Sequence, residues 1–154
     1  MPLALLALAV ASATLGGVFY AFSSFVMTAL GDVAPAEGAR AMQRINVDVF
    51  CWSFFVLFAG VPLGTVVLAA VGLWRWDPAV SPFVVAAAAV ALAALAVTAR
   101  GNVPLNDALA RADADTEAGQ RLWADYLRRW TRWNHVRTAA CLATAALLLW
   151  PLLP

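Results

Sequence analysis

Lysine is missing from this chain, and histidine occurs once, at position 135. Ten arginines face nine acids, so the formal net charge is only +1. Such a balance gives no polycationic surface, and nucleic acid is not an expected partner. One imidazole, two cysteines (Cys51 and Cys141) set in apolar runs and no carboxylate pair within those runs leave no zinc or non-haem iron ligand set, so neither metal nor cofactor is expected. The cysteines read as buried thiols, not as a disulfide. A glycine-rich phosphate loop and a dinucleotide fingerprint are also absent. Charge itself is the scarcest commodity: none occurs from Met1 to Gly31, from Val49 to Trp74, from Pro78 to Ala99 or from Thr138 to Pro154.

What fills those gaps is apolar. The chain is 64% hydrophobic, with a mean hydropathy of +0.81, well above a soluble domain. About 20 apolar residues span the hydrocarbon core as a helix, and lipid requires every backbone N–H to be paired within the segment. The first three runs are long enough. The fourth extends upstream because Arg137 can snorkel to the headgroups. The expected fold is all-α: an integral membrane four-helix bundle forming a single domain over 1–154, with spans at about 3–29, 49–73, 82–100 and 135–152. Ala11-Ser12-Ala13 resembles a signal-peptide cleavage site, but no Lys or Arg precedes the run and it continues through Phe19, Phe22 and Val26, so a retained span is expected. Nine arginines fall in 31–48 and 100–137 and only Arg75 in the remaining connection. The positive-inside rule then places loops 31–48 and 100–134 in the cytoplasm of a bacterial-type plasma membrane, with both termini outside.

Several local features refine this picture. Gly17, Ala21, Ser24 and Thr28 form a small-residue face on the first span, suited to close helix approach, which leaves a homo-oligomer open. Pro35 to Gly38 marks a turn and helix start, and Ala39 to Asp48 reads as a short amphipathic helix between spans 1 and 2. The third span, rich in alanine, is expected to pack tightly inside the bundle. Gly101 and Pro104 argue against regular helix across 101–104. From about Glu117 a helix resumes, with Trp123, Tyr126, Leu127, Trp130 and Trp133 at spacings of three or four, as an extension before span 4.

Candidate chemistry gathers at one membrane face. His135 is the only imidazole and suits a general base; its structural alternative is an interfacial histidine bonded to a helix carbonyl. Asn102, Asn106 and Asn134 can donate N–H groups to a developing oxyanion, or serve as turn and cap residues. Arg137 can hold an enolate or pair with an acid such as Asp107. Trp130 and Trp133 can stack on a flat ligand, though interfacial tryptophan is ordinary. Gln43 and Asn46, entering the second span, and Tyr20 and Ser24, on the first, complete the substrate-binding candidates. The alternative for the serines is a bond to the carbonyl four residues earlier.

Four ordered blocks carry a resemblance: Gly17 to Met27 (GVFYAFSSFVM), Ala41 to Asn46 (AMQRIN), Asn102 to Asn106 (NVPLN) and Trp130 to Arg137 (WTRWNHVR). Together they resemble the anthrone oxygenase family of small four-span membrane proteins, departing at Thr28, where a proline is expected. The resemblance implies oxidation of an anthrone to an anthraquinone with molecular oxygen, in aromatic polyketide chemistry. On that reading His135 takes a proton from the substrate, Asn102, Asn106, Asn134 or Arg137 holds the enolate oxygen, and Trp130 with Trp133 sandwiches the rings. The expected partners are an apolar aromatic small molecule, O2 and the lipid bilayer. Two rival readings stand: a non-catalytic membrane scaffold, whose polar cluster would be mutually satisfied, and a small-molecule transporter, which commonly needs an ionisable group at membrane depth away from the span ends.

Overall fold

In the computed structural model, which describes residues 1–153, the chain folds into five helices with no strand among the described residues. Helix α1 runs over Pro2–Asp32, α2 over Pro35–Asp48, α3 over Trp52–Trp74, α4 over Ser81–Ala110 and α5 over Glu117–Leu149, with a 3-10 turn at Trp150–Leu152. The first, third, fourth and fifth are long and apolar enough to cross a membrane. Around the bundle, α1 packs on α5, α5 on α4, α4 on α3, and α3 returns to α1. The short α2 lies across one end, against α1, α4 and α5.

Breaks between helices have local causes. Val33 is extended, and Ala34, preceding Pro35, is held out of the helical region by the proline ring, so α1 stops and α2 starts with Pro35 in its first turn. At the start of α5 the Thr116 hydroxyl accepts from Gly119 N–H at 3.1 Å, satisfying one of the unpaired first-turn donors. Gln43 does the same for the end of α4, donating to Leu109 O at 2.8 Å and Ala112 O at 3.0 Å.

Two spans contain a single π-helical turn, Phe22–Val26 in α1 and Thr98–Asn102 in α4. Pro104 explains the second. A proline has no N–H and its ring collides with the carbonyl four residues back. The helix absorbs it by widening the turn ahead, where Val103 N–H reaches Thr98 O. The departure from regular helix expected across 101–104 thus takes the form of a π-turn and not of an end, and α4 continues ten residues beyond Arg100, roughly 15 Å further.

The small face at Gly17, Ser24 and Thr28 points outward, with nothing near a Cβ built on Gly17, and so stays free for another helix; the face packed within the bundle is Leu5, Ala9, Ser12, Gly16 and Phe19, offset by about one residue step. Two further expectations are corrected. The third span, expected to pack tightly inside the bundle, has the smallest buried share of the four; along Ser81–Val97 only Ser81, Val84, Ala87, Ala88 and Ala91 are buried. Cys51 is exposed at the junction before α3, while Cys141 is buried as expected.

Candidate functional site

Every helix contributes to one cavity of about 140 Å³ between the spans and beneath α2. Phe19 and Phe22 of α1, Phe54 and Phe58 of α3, and Trp130 of α5 make its apolar wall. Its polar groups are few: Arg137, Asn46, Asn106 and Thr98, whose hydroxyl is spent on Ala94 O at 2.9 Å. An apolar chamber with a handful of placed polar groups is the usual form of a small-molecule site. A cavity of about this volume takes a benzene ring; a fused-ring ligand would extend toward Val49 and Phe50 at the mouth, where Phe50 is exposed. Phe19, Phe58 and Thr98 also border a smaller chamber of about 20 Å³ deeper in the bundle.

Arg137 dominates the electrostatics. It is only 6% exposed, and no carboxylate pairs with it among the described residues. The guanidinium lies 4.2 Å from the Phe19 ring centroid and 5.1 Å from that of Trp130. Each such contact stabilises a desolvated cation by about 1–2 kcal/mol, less than an opposing carboxylate would. Its Nη2 donates to Asn134 Oδ1 at 2.6 Å, but its buried Nε has no partner, and neither has the buried Trp130 Nε1. Two N–H donors thus remain unspent on side chains that wall the cavity. Buried donors without partners cost about 1–3 kcal/mol each, and a ligand oxygen would recover that.

The polar residues named from sequence divide into two groups. Asn134 is fully buried and pins α5 to α1, its Nδ2 donating to Phe19 O and Ser23 Oγ, each at 2.6 Å. The α1 π-turn sits at this contact, which occupies the Phe19 carbonyl. Asn102 pins α4 to α5 through Trp130 O at 3.2 Å. Gln43 caps α4. These three hold the walls in place. Asn46, Asn106, Trp130 and Arg137 form the walls.

His135 is not among them. It is exposed and borders a shallow groove on the outer side of α5 with Ser23, Arg128 and Arg132. One residue is about 100° of helix, and Asn134 and Arg137 already face the bundle. Trp133 is 41% exposed and packs on Gly101, where a Cβ would come within 2.6 Å of its ring. Tyr20 is 60% exposed, and Ser24 donates back to Tyr20 O at 2.8 Å, the local bond serines form in helices. None of these four lines the cavity.

Sequence reasoning passed over three contributors. Phe19 and Phe22 enter it only as part of the first apolar run, with no signal of a cavity between them. Tyr126 was read only as part of the aromatic stripe. Its hydroxyl accepts from Asn46 Nδ2 at 3.3 Å and donates to Asn106 Oδ1 at 2.9 Å, while its ring stacks between Trp123 and Trp130.

A family model described as anthrone oxygenase matches residues 48–147, well over half of the chain. The matched stretch contains Asn102, Asn106, Trp130, Asn134 and Arg137, and starts after the α1 and α2 blocks. No curated protein and no solved structure matches.

Proposed function

The chain belongs to the anthrone oxygenase family, and we propose that it oxidises an aromatic carbon acid, anthrone-like in its chemistry, with molecular oxygen inside the membrane. The observation that carries this reading is Arg137: a buried cation with no carboxylate partner among the described residues, its guanidinium 5.1 Å from the Trp130 ring, with Arg137 Nε and Trp130 Nε1 both unpaired on side chains that line an otherwise aromatic cavity. Ionisable groups at membrane depth mark function when nothing in the protein neutralises them.

The chemistry follows from the charge. A methylene flanked by aryl rings and conjugated to a carbonyl loses a proton to give an enolate, whose negative charge sits largely on oxygen. Arg137 and Trp130 receive that oxygen and lower the acidity barrier by electrostatic preorganisation. No carboxylate or imidazole lines the cavity among the described residues, so the proton passes to solvent at the mouth and returns when the peroxide anion is protonated. The electron-rich carbon then reacts with O2, first by electron transfer and then by C–O bond formation, giving a hydroperoxide. Loss of water leaves a second carbonyl, so CH2 plus O2 becomes C=O plus H2O. Phe22, Phe54 and Trp130 hold the rings flat, and the apolar walls suit a substrate delivered from lipid. Loops 31–48 and 100–134 face the cytoplasm on this reading, following the arginine distribution.

The test is turnover by the purified protein in detergent. An anthrone should be converted to its quinone with one O2 consumed per molecule, at a rate set by protein concentration and unchanged by a chelator. No protein-dependent quinone would refute the assignment, and loss of turnover on chelation would overturn the reliance on the chain's own residues.

A further inference from the structure

Two amides at the mouth of the cavity share one phenol. Asn46 and Asn106 line the cavity, whereas Tyr126, 1% exposed, stands behind them and does not. The phenol hydroxyl accepts from Asn46 Nδ2 and donates to Asn106 Oδ1. A tyrosine hydroxyl has one proton to give. It can therefore satisfy one amide oxygen and, on its lone pairs, one amide nitrogen. Turning both amides over reverses the chain of donation but keeps that division. Asn106 Nδ2 and Asn46 Oδ1 are left without a protein partner, one a donor and the other an acceptor.

We infer that Tyr126 is a positioning residue that sorts Asn46 and Asn106 into one donor and one acceptor, and that the pair reads a hydroxyl on the ligand at the end opposite its ionised oxygen. This rests on the cavity being the ligand site. Tyr126 and Arg137 are about three turns apart on α5, roughly 16 Å along its axis. Trp130 lies between them on the helix, its ring 6.0 Å from that of Tyr126 and 5.1 Å from the Arg137 guanidinium. The arrangement selects a flat aromatic with oxygens at both ends, one ionised at Arg137 and one neutral hydroxyl at the mouth. A hydroxyl both accepts and donates, so it meets Asn106 and Asn46 together. A methoxy group or a bare ring edge leaves one or both half-buried amides without the second hydrogen bond that a hydroxyl makes, which lowers affinity.

The experiment measures binding of 2,6-dihydroxynaphthalene and 2-naphthol to the purified full chain in detergent by calorimetry. The wild type should favour the diol by roughly tenfold, the value of the added hydrogen-bond pair. Tyr126→Phe keeps the ring stack and frees both amides to turn; it should bring the ratio to about twofold, the statistical advantage of two equivalent hydroxyls, with 2-naphthol affinity held. Asn46→Ala, which removes the acceptor together with the Nδ2 bond to Tyr126 and leaves Tyr126 donating to Asn106, should give an intermediate ratio. Arg137→Gln should weaken both ligands alike, a separate readout of the ionised-oxygen site. A wild type without preference, or a preference that survives in Tyr126→Phe, overturns the sorting role and leaves the cavity standing. Failure of both ligands to bind wild type overturns the cavity reading and the inference with it.

Discussion

Asn134→Ala offers a severe check on how the site is built. The side chain makes three bonds at 2.6 Å: its Nδ2 to Phe19 O and to Ser23 Oγ, and its Oδ1 from Arg137 Nη2. Interhelical neutral bonds in membrane proteins are worth about 0.6–1.7 kcal/mol each. The charge-assisted one contributes about 1.5–3 kcal/mol. Truncation also strands the buried Arg137 without its only protein partner. The summed loss is roughly 3–6 kcal/mol, large for one residue. Denaturant titration in mixed micelles, followed by tryptophan fluorescence, measures it. Asn102→Ala is the internal comparison: it removes one bond of 3.2 Å and should cost about 1 kcal/mol. If Asn134→Ala unfolds within 1 kcal/mol of wild type, or no worse than Asn102→Ala, the residue is not the pin between α1 and α5, and the reasoning from bond count fails.

Other consequences are quick to check. Gly38→Ala places a Cβ against the Leu30 carbonyl and 3.0 Å from the Trp123 ring, so it should displace α2 and lower stability by about 1–3 kcal/mol in the same titration. Asp115→Asn removes the exposed pair to Arg40 and should leave the unfolding midpoint unchanged. The hydrogen bond and charge of Asp115 raise the Arg40 pKa above its ordinary value. A raised cation pKa adds stability below the unfolded value that is lost only above it, so this pair should give no pH dependence between pH 5 and 9.

How much of this was legible in the sequence can be traced residue by residue. The four spans follow from the gaps between charged residues, because burial of unpaired charge in lipid is too costly to be accidental. The amphipathic α2 and the Glu117 start of α5 follow from periodicity, while the Thr116 cap is seen only in the structure. The π-turns were not legible: Gly101 and Pro104 look like a break, and only packing of α4 on α5 makes a widened turn cheaper than ending the helix. Within the site, Tyr126, Trp130, Asn134, Arg137 and Cys141 recur at steps of four, four, three and four, which is one helix face. That spacing alone separates His135 and Trp133 from Arg137, but the chemistry of a lone histidine outweighed its position. Asn46 and Asn106 could be named as polar residues near a membrane face. Their coupling through Tyr126 depends on three helices meeting and has no local signature.

The claim at the centre is that Arg137, not His135, carries the negative charge chemistry of this cavity. It is tested most directly by comparing anthrone turnover in Arg137→Gln and His135→Ala, purified side by side in the same detergent with O2 uptake and quinone absorbance recorded together. Loss of a preorganised donor to a developing oxyanion costs on the order of 10²–10³ in rate. Arg137→Gln should fall by about that factor while His135→Ala stays within about threefold of wild type, since His135 faces the outer groove. The reverse ranking, with His135→Ala inactive and Arg137→Gln near wild type, would contradict the assignment.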